Sequence, residues 1–248
     1  MSRTPLDPGT RLFARYAHAP NALGYCGPAD AQVLELAATG TGGSDEEVRR
    51  AASRFSGAWP YQQLIGDLTG LDPLSEQVGR AYWTGSALTG EVDRGKLGDL
   101  LLARFGNQAG HYWAHLTPDL LTEVTPTHIF HVLGVYPWTR LLATGAPEPL
   151  EVLDGCRIRV GQVVAVGDRL TVAVDRLVWD GSALQVGPPG NEEVDFRTPN
   201  GTFLETPQVG DLVAVHWGFA CDRLTSTDAE VLLTLTSEQV ELTNLRLP

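Results

Sequence analysis

The sequence predicts an α+β protein in which an all-helical N-terminal domain is followed by a small β-barrel with a C-terminal helix. Three observations support this prediction. Apolar residues recur at helical spacing through roughly the first 125 residues. From Leu150 onward the spacing is that of short strands separated by Gly-Asp and Asp-Gly turns. A stretch with two prolines and no periodicity, at 145–149, separates the two patterns, so we expect domains at 1–146 and 150–248.

Local start signals place several helices in the first domain. Ser44 precedes three acidic residues and predicts an N-cap. Pro28 suits the first position of a helix that runs through 32–36. Another amphipathic helix is expected at 92–105. The segment 127–140 is too rich in aromatic and β-branched residues to assign firmly to helix.

Composition narrows the class of protein. The chain has 18 basic and 30 acidic residues and a net charge of −12, so nucleic acid and anionic membranes should repel it. It contains no apolar run long enough to span a membrane, and its first residues lack the apolar core of a signal peptide. It also has neither a phosphate-binding glycine loop nor a Cys-x-x-Cys pair. We therefore expect a cytoplasmic protein that is neither a nucleotide hydrolase nor a zinc ribbon.

The stretch 209–224 combines a turn, a strand and a single histidine. After the turn at Gly210-Asp211, five residues that favour strand lead to His216. With a period of two, Leu212, Ala214 and His216 share one face. Because strand ends allow side chains to leave the core, His216 is a candidate functional residue. The acidic segment after Thr225 predicts a capped helix.

Two segments of the second half carry a family resemblance. The first is Val215-His216-Trp217-Gly218-Phe219-Ala220; the second begins with Cys156, has Gly161 five residues later, and continues into a hairpin with Gly167-Asp168 as its turn. Together they resemble the HypC/HupF family of nickel–iron hydrogenase maturation chaperones over roughly residues 153–240. The resemblance implies a small OB-like barrel with a C-terminal helix. In that family, however, the cysteine is N-terminal and followed by small or apolar residues and a proline, whereas Cys156 is internal.

The resemblance implies a metal-carrying role. Cys156 and His216 would hold an Fe(CN)2CO fragment, and the partner would be the hydrogenase large-subunit precursor or a HypD-like protein. A thiolate together with an imidazole suits iron and other late transition metals. Cys221 is a further sulfur donor, although packing as a small side chain is the favoured role for it. Two alternatives stay open: Cys156 and His216 are buried structural residues, or the barrel is a metal-free scaffold.

A different class is suggested by the first cysteine. Tyr25-Cys26-Gly27-Pro28 resembles the nucleophile segment of papain-like cysteine peptidases, with His131 as the matching base in the expected chain order. No glutamine precedes Cys26 at the usual oxyanion position, and no Asn or Asp clearly follows His131. A thiol hydrolase is therefore the alternative to a protein without catalytic turnover.

Two histidine pairs have helical spacing. His111 and His115 lie four residues apart, and His128 and His131 three apart. Neither pair has a Glu or Cys nearby in sequence that would complete a metal site. Exposed or capping roles are expected for all four.

Overall fold

A computed structural model describes residues 5–105 and 118–247. It contains both α-helices and antiparallel strands, which confirms the α+β class. The helices are α1 (Pro8–Ala22), α2 (Gln32–Thr39), α3 (Asp45–Ala52), α4 (Ala58–Thr69), α5 (Glu76–Trp83), α6 (Ala87–Glu91), α7 (Arg94–Phe105), α8 (His128–Phe130), α9 (Trp138–Leu141), α10 (Glu148–Cys156) and α11 (Ser226–Asn244). The strands are β1 (Arg159–Val166), β2 (Leu170–Val174), β3 (Leu177–Trp179), β4 (Leu184–Val186), β5 (Gly190–Val194), β6 (Arg197–Thr198), β7 (Gly201–Thr202), β8 (Leu212–His216) and β9 (Phe219–Leu224).

Capping residues explain where several helices begin. Ser44 accepts from the backbone N–H of Glu47 at 3.3 Å, which confirms the predicted N-cap of α3. Thr225 and Asp228 form a reciprocal capping box at the start of α11. The prediction for α2 was wrong at its start: the helix begins at Gln32, and Pro28 lies in the preceding turn. Cys26 therefore lies outside the first turn of α2.

The main sheet has five antiparallel strands in the order β5-β2-β1-β8-β9. The predicted hairpin appears as β1 and β2. The sheet curls so that its edges meet at one bridge, where Asp195 N donates to Gly218 O at 2.9 Å and Ala220 N donates to Asp195 O at 2.7 Å. Among the described residues the strands do not form a closed barrel, because only this bridge joins the two edges.

The segment that leads to Cys156 is helical, so the strand pattern expected from Leu150 was wrong for its first residues. Helix α10 has a proline in its first turn, where the missing N–H costs nothing, and acidic residues at the same end, where they favour the helix dipole. It buries Leu153 and Cys156 on one side. Cys156 is consequently the last residue of a helix and not the first residue of a strand.

The two predicted parts share one apolar core. The largest buried cluster contains residues of the N-terminal helices together with Ile158, Ala214, Phe219 and Leu224. On the opposite face of β8, Val213 and Val215 belong to a separate cluster inside the curled sheet. Strand β8 is therefore covered on both faces, and Ala214 and His216 point toward the helices. The boundary near residue 147 stays a prediction. No helix within residues 5–105 and 118–247 is long and apolar enough to cross a membrane.

Candidate metal centre

Three potential metal donors converge where the helices meet the sheet. One donor atom each from His128, Cys156 and His216 lies within 4.8 Å of the other two. The Cys156 sulfur is 3.9 Å from Nε2 of His128. Metal–donor bonds of about 2.0–2.3 Å place cis donors roughly 3–4 Å apart, so small side-chain shifts bring all three onto one ion. The structure thus brings Cys156 and His216 together and adds His128.

His216 is positioned by strand β8 and by the first helix. Its Nδ1 lies 2.8 Å from the backbone carbonyl of Tyr16 in α1, which fixes the proton on Nδ1. Nε2 therefore carries the lone pair. This atom is buried and has no hydrogen-bond partner among the described residues. An unsatisfied buried nitrogen is costly in a structural residue, whereas a metal ligand requires one.

Cys156 is held by the ion pairs that follow it. Arg157 is buried and contacts Asp154 at 3.0 Å and Asp175 at 2.8 Å. Two residues further on, Arg159 makes two contacts with Glu192, at 2.9 and 3.0 Å. Bidentate arginine–carboxylate pairs have well-defined geometry. They therefore anchor the chain immediately after the thiol.

His128 begins the segment that the sequence left unassigned. Helix α8 ends after one turn, and a π-helical turn follows at His131–Val135. Such turns are rare and occur frequently at functional sites. Nε2 of His128 lies 2.9 Å from the carbonyl oxygen of Cys156, which is one of the unpaired carbonyls at the C-terminus of α10. His128 therefore orients Cys156 even without a metal.

A relay of hydroxyl and imidazole groups lies behind His128. The Tyr82 hydroxyl is 3.0 Å from Nδ1 of His128 and 3.3 Å from Nδ1 of His131. When Nε2 of His128 donates to Cys156, Nδ1 accepts from Tyr82. When Nε2 binds a metal, Nδ1 carries the proton and Tyr82 accepts it while donating to His131. Both neutral tautomers of His128 therefore have a hydrogen-bond partner.

Burial keeps both histidines neutral and the thiol protonated. Desolvation lowers the pKa of His128 from 6.5 to about 4 and that of His216 from 6.5 to about 3. Burial raises the pKa of Cys156 well above its usual range, and the Trp217 indole opposes this only in part. At neutral pH the site thus offers two neutral imidazoles, of which His128 would first have to release the Cys156 carbonyl, and a bound cation would have to displace one thiol proton.

An aromatic cleft of about 310 Å³ leads from the surface to Cys156. Trp217 forms one side of it, with a backbone φ of 51° that a bulky residue rarely adopts. The backbone N–H of Trp217 donates to the carbonyl oxygen of Gly155 at 2.9 Å, and its indole ring stacks on the Tyr25 ring at 3.9 Å between centroids. Backbone strain of this kind typically costs about 1–3 kcal/mol and occurs mainly at functional sites. Cys26 also lines this cleft.

The other predicted residues are placed as follows. Cys221 lies in β9, is fully buried and donates its S–H to Phe219 O at 3.4 Å; it is not one of the converging donors found among the described residues. His128 and His131 are both buried, so the exposed role expected for them was wrong, and His131 stacks on Tyr61. Burial raises the pKa of Cys26 to about 12, whereas an activated nucleophile needs a lowered one. His111 and His115 lie outside the described residues.

Sequence reasoning did not identify His128 as a donor. No Cys or Glu is near His128 in sequence, yet Cys156, which is 28 residues away, is adjacent to it in space. The available signal was the position of His128 and His131 in an apolar segment of unusual composition. Such a segment indicates buried histidines, which need partners.

Fold and site together define an α+β protein with a buried His-Cys-His group at the end of an aromatic cleft. The chain belongs to DUF6390, a family of unknown function, whose model matches residues 5–248. Comparison with curated proteins and with solved structures gives no match. The match spans both predicted parts, so the helices and the sheet belong to the same family unit.

Proposed function

We propose that this protein is an accessory protein of nickel–iron hydrogenase maturation that holds the Fe(CN)2CO fragment at His128, Cys156 and His216. The observation that carries the proposal is the convergence of these three donors within 4.8 Å. Two imidazoles and a thiolate suit ferrous iron. The similarity of the Cys156 and His216 segments to HypC-like chaperones supplies the identity of the cargo.

The number of donors fits this cargo. Two cyanides and one carbon monoxide leave three positions on an octahedral ferrous ion, and the protein offers three donors. The buried indole N–H of Trp217 has no acceptor in good geometry among the described residues and lies close enough to influence the Cys156 thiol. A cyanide nitrogen is an acceptor for such a donor. The apolar and aromatic lining of the cleft suits carbon monoxide, which is a poor hydrogen-bond acceptor.

The architecture of the sheet also supports a relationship to HypC-like chaperones. Five strands curl until Asp195 bridges Phe219, and helix α11 follows the last strand. We interpret this arrangement as a HypC-like barrel that is incompletely closed. The protein with which it exchanges the fragment would be the large-subunit precursor or a HypD-like protein. Holding and transferring a fragment requires no catalytic turnover.

Infrared spectroscopy tests the proposal. The protein is purified anaerobically from a host that expresses the hydrogenase maturation proteins, and cyanide and carbonyl stretches are recorded. We expect these bands in the wild type, their loss in Cys156→Ala and their retention in Cys221→Ala. Cys221 is the matched control because it is equally buried and outside the donor group. A band-free wild-type spectrum would contradict iron carriage and favour a metal-free scaffold.

A further inference from the structure

The cleft that ends at Cys156 contains a second thiol, that of Cys26. Helix α10 contributes Cys156 and the turn before α2 contributes Cys26, so two distant parts of the chain place sulfur in one cavity. The third cysteine, Cys221, lies in β9 and donates to a backbone carbonyl. Two of the three cysteines thus line the cleft that leads to the donor group.

The turn that carries Cys26 is fixed by specific contacts. The side-chain amide of Asn21 donates to the carbonyls of Cys26 and Pro28, both at 2.8 Å. Gly27 has a φ of 84°, and a Cβ there would lie 2.4 Å from the Phe55 ring. A side chain at position 27 would therefore be strained and would clash. These contacts fix the backbone at Cys26, whose side chain lines the cleft.

Near the inner end of the cleft, one buried nitrogen of the donor group has no hydrogen-bond partner among the described residues. Nε2 of His216 is buried, unpartnered among the described residues and grouped with the Cys156 sulfur. On a four-coordinate ion such as Co²⁺, three protein donors leave one position open, whereas on the Fe(CN)2CO fragment an incoming thiolate would have to replace one of the three. Cys26 is half-buried and lines the same cleft as Cys156, so an ion that enters this cleft from solvent would pass it.

We propose that Cys26 is an exchange ligand, whose thiolate binds the metal in the cleft and passes it to and from the donor group. The inference rests on the metal site proposed above. On loading, the Cys26 thiol loses its proton to solvent as its sulfur replaces one donor of the incoming carrier. The Cys156 sulfur then replaces Cys26, and the proton that Cys156 loses passes to the Cys26 sulfur, while the two imidazoles replace the remaining donors of the carrier one by one. Each step exchanges one metal–donor bond for another, and no atom is oxidised or reduced.

The test uses the full chain, reduced and metal-free, with Co²⁺ as the probe. Co²⁺ gives a sulfur-to-metal absorption band, and transfer to a chromophoric chelator gives the exchange rate. We expect Cys26→Ser to bind Co²⁺ with unchanged affinity but to exchange it roughly tenfold more slowly, because a tethered donor acts at a high effective concentration. Cys221→Ser should match the wild type. Cys26→His should restore fast exchange because imidazole is also a metal donor, whereas a purely structural role would not be rescued.

Several outcomes would overturn the inference. Equal exchange rates in wild type and Cys26→Ser would overturn it and leave the proposed donor group intact. Loss of equilibrium binding in Cys26→Ser would also overturn it, since Cys26 would then be a permanent ligand. A wild-type protein that binds no Co²⁺ would overturn both this inference and the proposed metal site.

Discussion

His128 has a hydrogen-bond partner on each ring nitrogen, and only one of them is consistent with a bound metal. Nε2 contacts the carbonyl of Cys156 at 2.9 Å and must release it to bind an ion, while Nδ1 stays with Tyr82 at 3.0 Å. Tyr82 is thus the residue that stabilises the ligating tautomer. Groups that orient metal-binding histidines in this way contribute substantially to metal affinity.

Replacement of Tyr82 by phenylalanine tests this role. Tyr82→Phe should weaken Co²⁺ binding by about 10–100-fold, the usual effect of losing such a partner. Isothermal titration measures the change. Tyr16→Phe is the matched control, because the Tyr16 hydroxyl is buried without a partner among the described residues and only its backbone carbonyl contacts His216. Equal losses in both variants would contradict the proposed relay.

The neutral histidines make the metal-free protein sensitive to acid. In the folded state the pKa is about 4 for His128 and about 3 for His216, against 6.5 for an unperturbed histidine. At a pH between the folded-state pKa of each histidine and 6.5, the unfolded chain binds a proton there that the native state does not. Stability is therefore fully present above pH 6.5 and falls as the pH decreases toward 4.

Urea unfolding in the presence of a chelator measures this effect. At pH 5 each buried neutral histidine should lower the free energy of unfolding by about 2 kcal/mol relative to pH 7.5. His128→Gln should show a pH dependence that is smaller by about that amount. An identical pH dependence in wild type and variant would show that His128 is protonated equally in the folded and unfolded states.

At the level of secondary-structure elements, helix α10 and strand β8 meet at a glycine. A Cβ on Gly155 would lie 2.8 Å from the Trp217 ring, which is held over the helix by its unusual backbone conformation. Glycine in a helix normally costs stability relative to alanine. Here its absence of a side chain allows Trp217 to pack beside Cys156.

Alanine at position 155 should therefore destabilise the protein, whereas alanine in place of a helical glycine usually stabilises it. Gly155→Ala should lower the free energy of unfolding by about 1–3 kcal/mol, the typical cost of overpacking. Gly90→Ala in α6, where a Cβ meets nothing within 4 Å, should raise it by about 0.5–1 kcal/mol. Urea unfolding monitored by tryptophan fluorescence compares them. A stabilised Gly155→Ala protein would refute tight packing of Trp217.

The elements also show which features are predictable from sequence. Strand β8 and the β1–β2 hairpin depend on alternation and Gly-Asp turns, which are local signals, and His216 was identified for that reason. The start of α2 is mispredicted because Pro28 suits a loop as well as a first helical position, and the helical nature of α10 because short apolar runs fit either period. The role of His128 depends on a π-helical turn and on a cysteine far away in sequence. Tertiary packing alone determines both.

At the scale of the whole molecule, a buried charge joins the helices to the sheet. Asp222 in β9 has a 7% exposed side chain and contacts Arg15 of α1 at 2.8 Å and Arg80 of α5 at 3.5 Å. Burial raises its pKa despite the two arginines. The same region contributes Ala214 and Phe219 to the core of the helical part. The two parts are therefore expected to be one cooperative unit.

Denaturation of the metal-free protein tests this unity. Far-UV circular dichroism reports mainly the helices and fluorescence reports the tryptophans, and both should give the same midpoint in a single transition. Asp222→Asn should lower that midpoint without splitting it, at a cost of about 2–3 kcal/mol, below the full cost of breaking a buried pair because both arginines are partly exposed.

A surface ion pair provides the control. Arg50 and Glu46 are 3.0 Å apart with side chains 69% and 84% exposed, so Arg50→Gln should change stability by less than about 0.5 kcal/mol. Separate transitions for the two probes in the wild type would show that the protein does not unfold as one cooperative unit. The donor group would then bridge two domains, and its geometry would depend on how they dock. A single transition that Asp222→Asn shifts and Arg50→Gln does not would instead show that the proposed metal site is built into one folding unit.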